Sequence, residues 1–135
     1  MTNAEINKFK SEIGKYNFLI SSSKLLLDKI DVQLYNMAGV KGVAFDRIRG
    51  NASEHQIAMI KHEQSEVYEK LLKAYEKKAK RIAYVDSILE KMDEDDRELF
   101  VLKYIDGMSF ERLAKMNYIS KTGMIYRMNN ILKEL

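Results

Sequence analysis

The side chains best placed to do chemistry lie in the last 27 residues, in two groups that each begin with a serine. Ser109 precedes a short apolar-periodic stretch that carries Arg112, and Ser120 precedes a second such stretch. Four polar residues are expected to face outward early in that second stretch: Lys121, Thr122, Tyr126 and Arg127. Ammonium, guanidinium and hydroxyl groups hydrogen-bond the phosphates and base edges of duplex DNA. The pattern therefore predicts a surface that contacts DNA.

Catalytic and metal chemistry find little support elsewhere in the chain. It contains no cysteine, and its two histidines, His55 and His62, are seven residues apart, which is too far for two ligands of one metal within a helix. We identify no Ser/His/Asp set, no glycine loop that could cradle a phosphate and no paired carboxylates. We therefore expect a protein that is not an enzyme and holds no metal or cofactor.

Two short helices are expected to position the polar residues. Ser109 and Ser120 are the predicted N-caps, because a serine hydroxyl can accept a hydrogen bond from a backbone N–H of the first turn. Ala114 is small enough to let the second helix cross the first closely. Asn117 is expected to take the left-handed conformation in the turn, and Ile119 to be an apolar plug after it. This order of parts is that of a helix-turn-helix.

A further helix is predicted just before these two. Residues 93–98, DEDDRE, place negative charge at a helix start, and Asp95 and Glu98 have the spacing of a capping box. Asp106 and Gly107 are expected to end this helix. Residues 93–108 carry two basic and six acidic residues, net −4, whereas residues 109–135 carry five and two, net +3. A basic end segment favours nucleic acid as a partner.

Two long helices are predicted over the first 92 residues. Apolar residues at alternating spacings of three and four run from Ala4 to about Met37, and a second helix is predicted from an N-cap at Ser53 to about Met92. Residues 38–52 contain three of the six glycines and are expected to turn or loop. An antiparallel helical hairpin is the simplest arrangement, because each helix must bury its apolar stripe.

The expected architecture is all-α, with a long antiparallel hairpin over residues 1–92 and a three-helix helix-turn-helix domain over residues 93–135. The apolar stripe of the first helix could pack within the hairpin, against a second copy of the chain, or both. We expect a homodimer, because a two-fold dimer reads a DNA site twice. The stripe positions available for it are Ile6, Ile13, Ile20, Leu27 and Leu34.

Membrane association is not expected. The N-terminal residues lack the apolar run of a signal peptide, and the most apolar stretches are far too short to span a bilayer. The absence of cysteine fits a reducing compartment. We therefore expect a cytoplasmic protein.

The stretch from Leu102 onward resembles region four of bacterial sigma factors, which typically runs as a helix, a glycine, a helix with an S-x-x-x-x-A pattern, an I-S pair and a helix that closes on L-x-x-L. The matching residues are Tyr104, Gly107, Ser109, Leu113, Ala114, Ile119, Ser120, Met128, Ile131, Leu132 and Leu135. Gly123 stands where that pattern often has threonine or serine.

The whole chain is similar to the ArpU/RinA-type phage transcriptional regulators. The similarity includes their GVKG-x-x-F-D-like loop, here Gly39 to Asp46, a long charged middle helix and the sigma-like C-terminal part. This resemblance implies a DNA-binding transcriptional regulator from a phage or mobile element. It would read duplex DNA in the major groove with the helix that starts after Ser120, and RNA polymerase would be a candidate partner.

A helical interaction or adaptor protein without DNA binding is the alternative, with the hairpin as its functional part. Two basic groups also leave alternatives open. Lys41, Arg47 and Arg49 could form a DNA-contacting arm or a plain loop, and the basic run over 77–81 is favoured as a solvated helix face over a phosphate contact. Salt-dependent binding to duplex DNA discriminates between regulator and adaptor.

Overall fold

The computed structural model describes residues 1–48 and 54–135, and the side chains of residues 1–37, 58–59 and 61–135. Within these residues it contains helices and no strand, so the all-α prediction is confirmed. None of the described helices combines the length and the apolar character needed to cross a membrane. The helices are α1 Asn3–Gly14, α2 Tyr16–Ile48, α3 Glu54–Glu90, α4 Glu94–Phe100, α5 Phe110–Met116 and α6 Lys121–Glu134, and a π-helical segment, Val101–Ile105, follows α4.

The first predicted helix is in fact two helices. The Thr2 hydroxyl accepts from Glu5 N–H at 3.2 Å and caps α1, which ends at Gly14. Lys15 has φ −101° and ψ 4° and interrupts the helix before α2 begins. Glycine is a poor helix former, which explains a break at this place. The apolar periodicity continues across Lys15 and therefore did not reveal the break. Such a pattern shows which side of a segment is buried, but it does not show whether the helix is continuous.

The predicted loop over residues 38–52 is helical for most of its length, since α2 continues to Ile48. Gly39 and Gly42 each cost about 1 kcal/mol relative to alanine in a helix, which does not stop a long helix that contains no proline. Residues 49–53, including the predicted N-cap Ser53, lie outside the described residues, as do the side chains of Lys41 and Arg47.

The contacts group the chain into two units, one formed by Met1–Ile20 with Lys80–Leu135 and the other by Ser21–Ala79. This grouping differs from the expected division after residue 92. A segment of about 40 residues buries too little surface to be stable alone. The C-terminal helices accordingly share their core with α1 and the end of α3. That core is built from Ile6, Phe9, Ile13, Val85, Ile88, Leu89, Met92, Leu99, Phe100, Leu113, Ala114, Met124, Met128 and Leu132.

Aromatic and polar contacts tie α1 into this first unit. The Phe9 ring packs edge-on against Phe100 with their centroids 5.9 Å apart. The Arg81 guanidinium donates two hydrogen bonds to the Glu12 carboxylate, at 2.8 and 3.2 Å. The hydrogen bond from Arg81, together with its charge, lowers the pKa of Glu12. Arg81, at the end of the basic run, is therefore paired within the protein.

The start of α4 differs from the predicted capping box. The N-cap is Asp93, whose side chain makes no capping hydrogen bond, and Asp95 lies in the first turn. Arg97 holds this corner instead, because it donates to the carbonyls of Leu89 at 2.9 Å and Met92 at 3.1 Å. A side chain of α4 thus satisfies one carbonyl in the last turn of α3 and one in the turn that follows it.

The second unit contains the remaining parts of α2 and α3. Among the described side chains of α2 in this unit, Ser23, Ile30 and Gln33 are buried. Gln33 Nε2 donates to the Gln64 carbonyl of α3 at 3.0 Å. Leu27 and Leu34, which belong to the predicted apolar stripe of the first helix, are 41% and 47% exposed. Gln33, one position before Leu34, is buried instead, and its side-chain amide has a hydrogen-bond partner there.

Candidate nucleic-acid interface

The two predicted serine caps are both present. Ser109 Oγ accepts from Arg112 N–H at 3.2 Å at the start of α5, and Ser120 Oγ accepts from Gly123 N–H at 3.0 Å at the start of α6. Upstream, Gly107 takes φ +75°, and the Met108 N–H bonds back to the Leu102 carbonyl at 2.9 Å, which ends the preceding helix as predicted. Local chemistry therefore fixes where α5 and α6 begin.

The connection between α5 and α6 differs from the prediction in one residue. Tyr118, not Asn117, takes the left-handed conformation, with φ +57°. Asn117 keeps φ −101° because its side-chain amide donates to the Leu113 carbonyl at 2.8 Å, which holds it at the end of α5. Tyr118 is 95% exposed, so an aromatic ring in an unfavourable backbone conformation stands in solvent beside α6. Ile119, the predicted plug, is only partly covered at 38% exposure.

All seven residues predicted to contact DNA are exposed. They are Ser109, Arg112, Ser120, Lys121, Thr122, Tyr126 and Arg127. Beneath them, Ala114 of α5 and Met124 and Met128 of α6 are buried in the common core. The predicted set is thus carried by two helices whose inner faces are packed.

The seven residues do not form one surface. At about 100° per residue, Thr122 and Tyr126 point away from the buried line of α6 on one side, and Arg127 points to the other side. Arg127 lines a cleft of about 250 Å³ together with Asp95 and Glu98 of α4. Carboxylates beside Arg127 disfavour a phosphate there, because like charges repel. The side that carries Thr122 and Tyr126 is therefore the better candidate for contact with DNA.

The start of α6 is positive. Its first turn, all of it described, contains no acidic residue, and the unpaired N–H groups of a helix start attract anions. Lys121 adds its own charge and forms an exposed ion pair with Glu111 of α5, with 3.5 Å between Nζ and Oε1. Exposed ion pairs are weak, so Glu111 holds Lys121 only loosely.

The side of α6 with Thr122 and Tyr126 continues toward the end of the helix through residues that the sequence analysis did not select. Asn129 and Lys133 follow at spacings of three and four, so the four residues form one line. Lys10 of α1 donates a hydrogen bond to Asn129 Oδ1 at the far end of that line. The regular spacing was visible in the sequence, but the approach of α1 was not.

Metal chemistry has no site here: among the residues that the structure describes, no three His, Asp or Glu side chains are grouped closely enough to hold an ion. The chain matches no protein-family model, no curated protein and no solved structure.

Proposed function

We propose that this chain is a DNA-binding transcriptional regulator in which α5, the Tyr118 turn and α6 form a helix-turn-helix. One observation carries the proposal: Thr122 and Tyr126 stand exposed in the N-terminal half of a helix whose cap, Ser120, is formed and whose opposite side is packed into a core. A major groove admits a helix presented in this way.

The exposed residues would divide the work by chemistry. Thr122 and Tyr126 would contact base edges through a hydroxyl, a methyl group and a ring. Lys121 and the free N–H groups at the start of α6 would contact one phosphate, and the Arg112 guanidinium would contact another. Arg127 is left on the side that faces acidic residues, and we assign it the smallest part.

The resemblance to ArpU/RinA-type regulators and to sigma region four supports a cytoplasmic regulator of phage or mobile-element origin, with RNA polymerase as a second partner. Under this proposal the second unit is an antiparallel helical hairpin. The hydrogen bond between Gln33 and Gln64 supports contact between its two helices.

A two-fold dimer belongs to the same proposal, but on a revised surface. Ile6 and Ile13 are buried in the core and cannot meet another chain. Leu27 and Leu34 remain exposed on one side of α2. Two exposed charged residues flank Leu27: Lys24 lies three positions before it and Asp31 four positions after it. If two copies of α2 paired antiparallel with Leu27 at the centre, each Lys24 would lie beside the Asp31 of the other copy.

The adaptor alternative keeps a specific basis in the second unit. α2 exposes a large apolar surface for a single helix. The residues that contribute are Leu25, Val32 and Tyr35, which are 62%, 60% and 79% exposed. A protein partner could cover them whether or not the chain binds DNA.

Fluorescence anisotropy with a labelled duplex of mixed sequence tests the proposal. We expect binding at low salt that weakens linearly in log–log form as salt rises. On a duplex that the wild type selects from random sequence, Tyr126→Ala should weaken binding about tenfold, whereas Tyr35→Ala, which removes an exposed tyrosine from α2, should leave the affinity unchanged. A wild-type protein that fails to bind duplex at low salt would leave the adaptor function as the answer.

A further inference from the structure

A groove lies between α1 and the second half of α6. It has a volume of about 290 Å³ and is lined by Asn3, Ile6, Asn7, Lys10, Asn129 and Lys133. Five of these six side chains carry N–H donors, two of them charged, and none of the lining residues is acidic. A concave site with this composition suits an anion that accepts several hydrogen bonds.

The two helices present these groups together because of their spacing. Asn3, Asn7 and Lys10 follow one another at intervals of four and three on α1, and Asn129 and Lys133 are four apart on α6, so each set occupies one helix face. The Lys10 ammonium donates to Asn129 Oδ1, which leaves the Asn129 amide N–H groups to donate elsewhere. Lys10 keeps further N–H donors for a ligand.

The groove continues the line of Thr122 and Tyr126 along α6. From Thr122 to Asn129 and Lys133 the helix rises about 10 and 16 Å, at 1.5 Å per residue. The major groove is about 12 Å wide, so a helix whose first turns contact bases brings its later turns to the sugar–phosphate backbone at the edge of that groove. The groove is thus at the distance where a backbone phosphate would lie.

We propose that this groove binds one phosphodiester of duplex DNA, with Lys10 and Lys133 supplying the charge and the asparagine amides donating hydrogen bonds. The inference rests on the proposed function and adds α1 to the DNA-binding surface. It assigns a ligand contact to a helix about 110 residues away in sequence from α6, outside the segment that resembles a helix-turn-helix.

The decisive readout is the salt dependence of DNA affinity, which a purely structural role of Lys10 would not move. We expect Lys10→Gln with Lys133→Gln to reduce the slope of log affinity against log salt by about 0.9, the value for one lost phosphate contact. The single variant Lys10→Arg retains the positive charge and should therefore keep the wild-type slope. Lys73→Gln with Lys91→Gln removes the same charge from two exposed positions, one on α3 and one just after its end, and should leave the slope unchanged.

The outcomes separate this inference from the function on which it rests. If the wild type binds, Tyr126→Ala weakens it and the Lys10/Lys133 variant keeps the wild-type slope at an unchanged melting temperature, the groove is not a phosphate site and the regulator proposal stands. An equal slope loss in the Lys73/Lys91 control variant also overturns the phosphate site, because the effect then comes from net charge. Absence of duplex binding by the wild type overturns both.

Discussion

Arg81 of α3 and Glu12 of α1 are 69 residues apart in sequence and joined by a pair of hydrogen bonds that closes the first unit. The Glu12 carboxylate is largely covered, at 16% side-chain exposure, so water screens the pair only in part. Replacing Glu12→Gln keeps the shape and removes the charge. We expect a loss of about 1 kcal/mol in the free energy of unfolding at neutral pH, measured by urea denaturation.

The same pair predicts how that loss depends on pH. Because Arg81 lowers the pKa of Glu12 in the folded state, the carboxylate stabilises the fold above the pKa of the unfolded chain, about 4.3, and this stabilisation disappears as pH falls through the folded value. The stability difference between wild type and Glu12→Gln should therefore be full at pH 6 and shrink below about pH 4. A difference that stays constant down to pH 3 would show that the charge contributes nothing.

Lys121 and Arg127 should differ as DNA contacts. Lys121→Ala should weaken duplex binding and reduce the salt slope by about 0.9, and its effect on folding should stay below about 0.5 kcal/mol because the Glu111 pair is exposed. Arg127→Ala should have a smaller effect on affinity, because Asp95 and Glu98 share its cleft. Equal losses for the two variants in anisotropy titrations would contradict this division.

Ala114 tests the packing of α5 on α6. It is 2% exposed and packed among the core residues of the first unit, so a larger side chain has no room. Ala114→Leu should cost about 1–3 kcal/mol through overpacking. Lys115→Leu, one residue later and exposed, serves as the control and should be nearly neutral. Chemical denaturation of both variants gives the comparison.

Tyr118 links backbone strain to the proposed interface. Glycine relieves the left-handed conformation, and the exposed ring gives up little packing, so Tyr118→Gly should stabilise the fold by about 0.5–1 kcal/mol. A ring kept at such a place is a candidate DNA contact. We expect the stabilised variant to bind duplex more weakly; a variant that gains stability at full affinity would exclude the ring from the interface.

The dimer surface on α2 can be tested with a pair of matched double variants. Leu27→Glu with Leu34→Glu should convert a dimer to a monomer, because burying unpaired carboxylates is costly. Leu25→Glu with Val32→Glu has the same spacing of seven on a different side of the helix and should leave the dimer intact. Sedimentation at micromolar concentration decides: a wild-type mass near 15.8 kDa would refute the dimer.

Short-range chemistry made parts of this structure predictable from sequence. Ser109 and Ser120 cap their helices as expected, because each hydroxyl bonds an N–H three residues away. Gly107 ends its helix for an equally local reason, since only glycine takes that φ without strain. The exposure of the seven predicted contact residues followed from helical periodicity once these boundaries were set.

Two kinds of feature could not be predicted: those for which two residues were equally suitable, and those that depend on contacts between residues distant in sequence. Asn117 and Tyr118 were both candidates for the left-handed position, and a side-chain hydrogen bond to Leu113 decided between them. Helical periodicity alone did not show that Gln33 rather than Leu34 would be buried on α2, because the hydrogen-bond partner of Gln33, Gln64, lies on another helix. The contact between α1 and α6 joins segments more than 100 residues apart, and nothing in the sequence of either segment predicts it.

That contact also has a consequence for biogenesis. Ile6, Phe9 and Ile13 are synthesised before their partners in the core, which extend to Leu132. The core of the first unit therefore cannot be completed until the ribosome has made α6, and the part of the apolar face of α1 that α6 covers stays exposed until then. Contacts between residues this distant in sequence form slowly, so we expect this core to be completed late in folding. Deletion of α6 would therefore leave part of the apolar face of α1 without its partners.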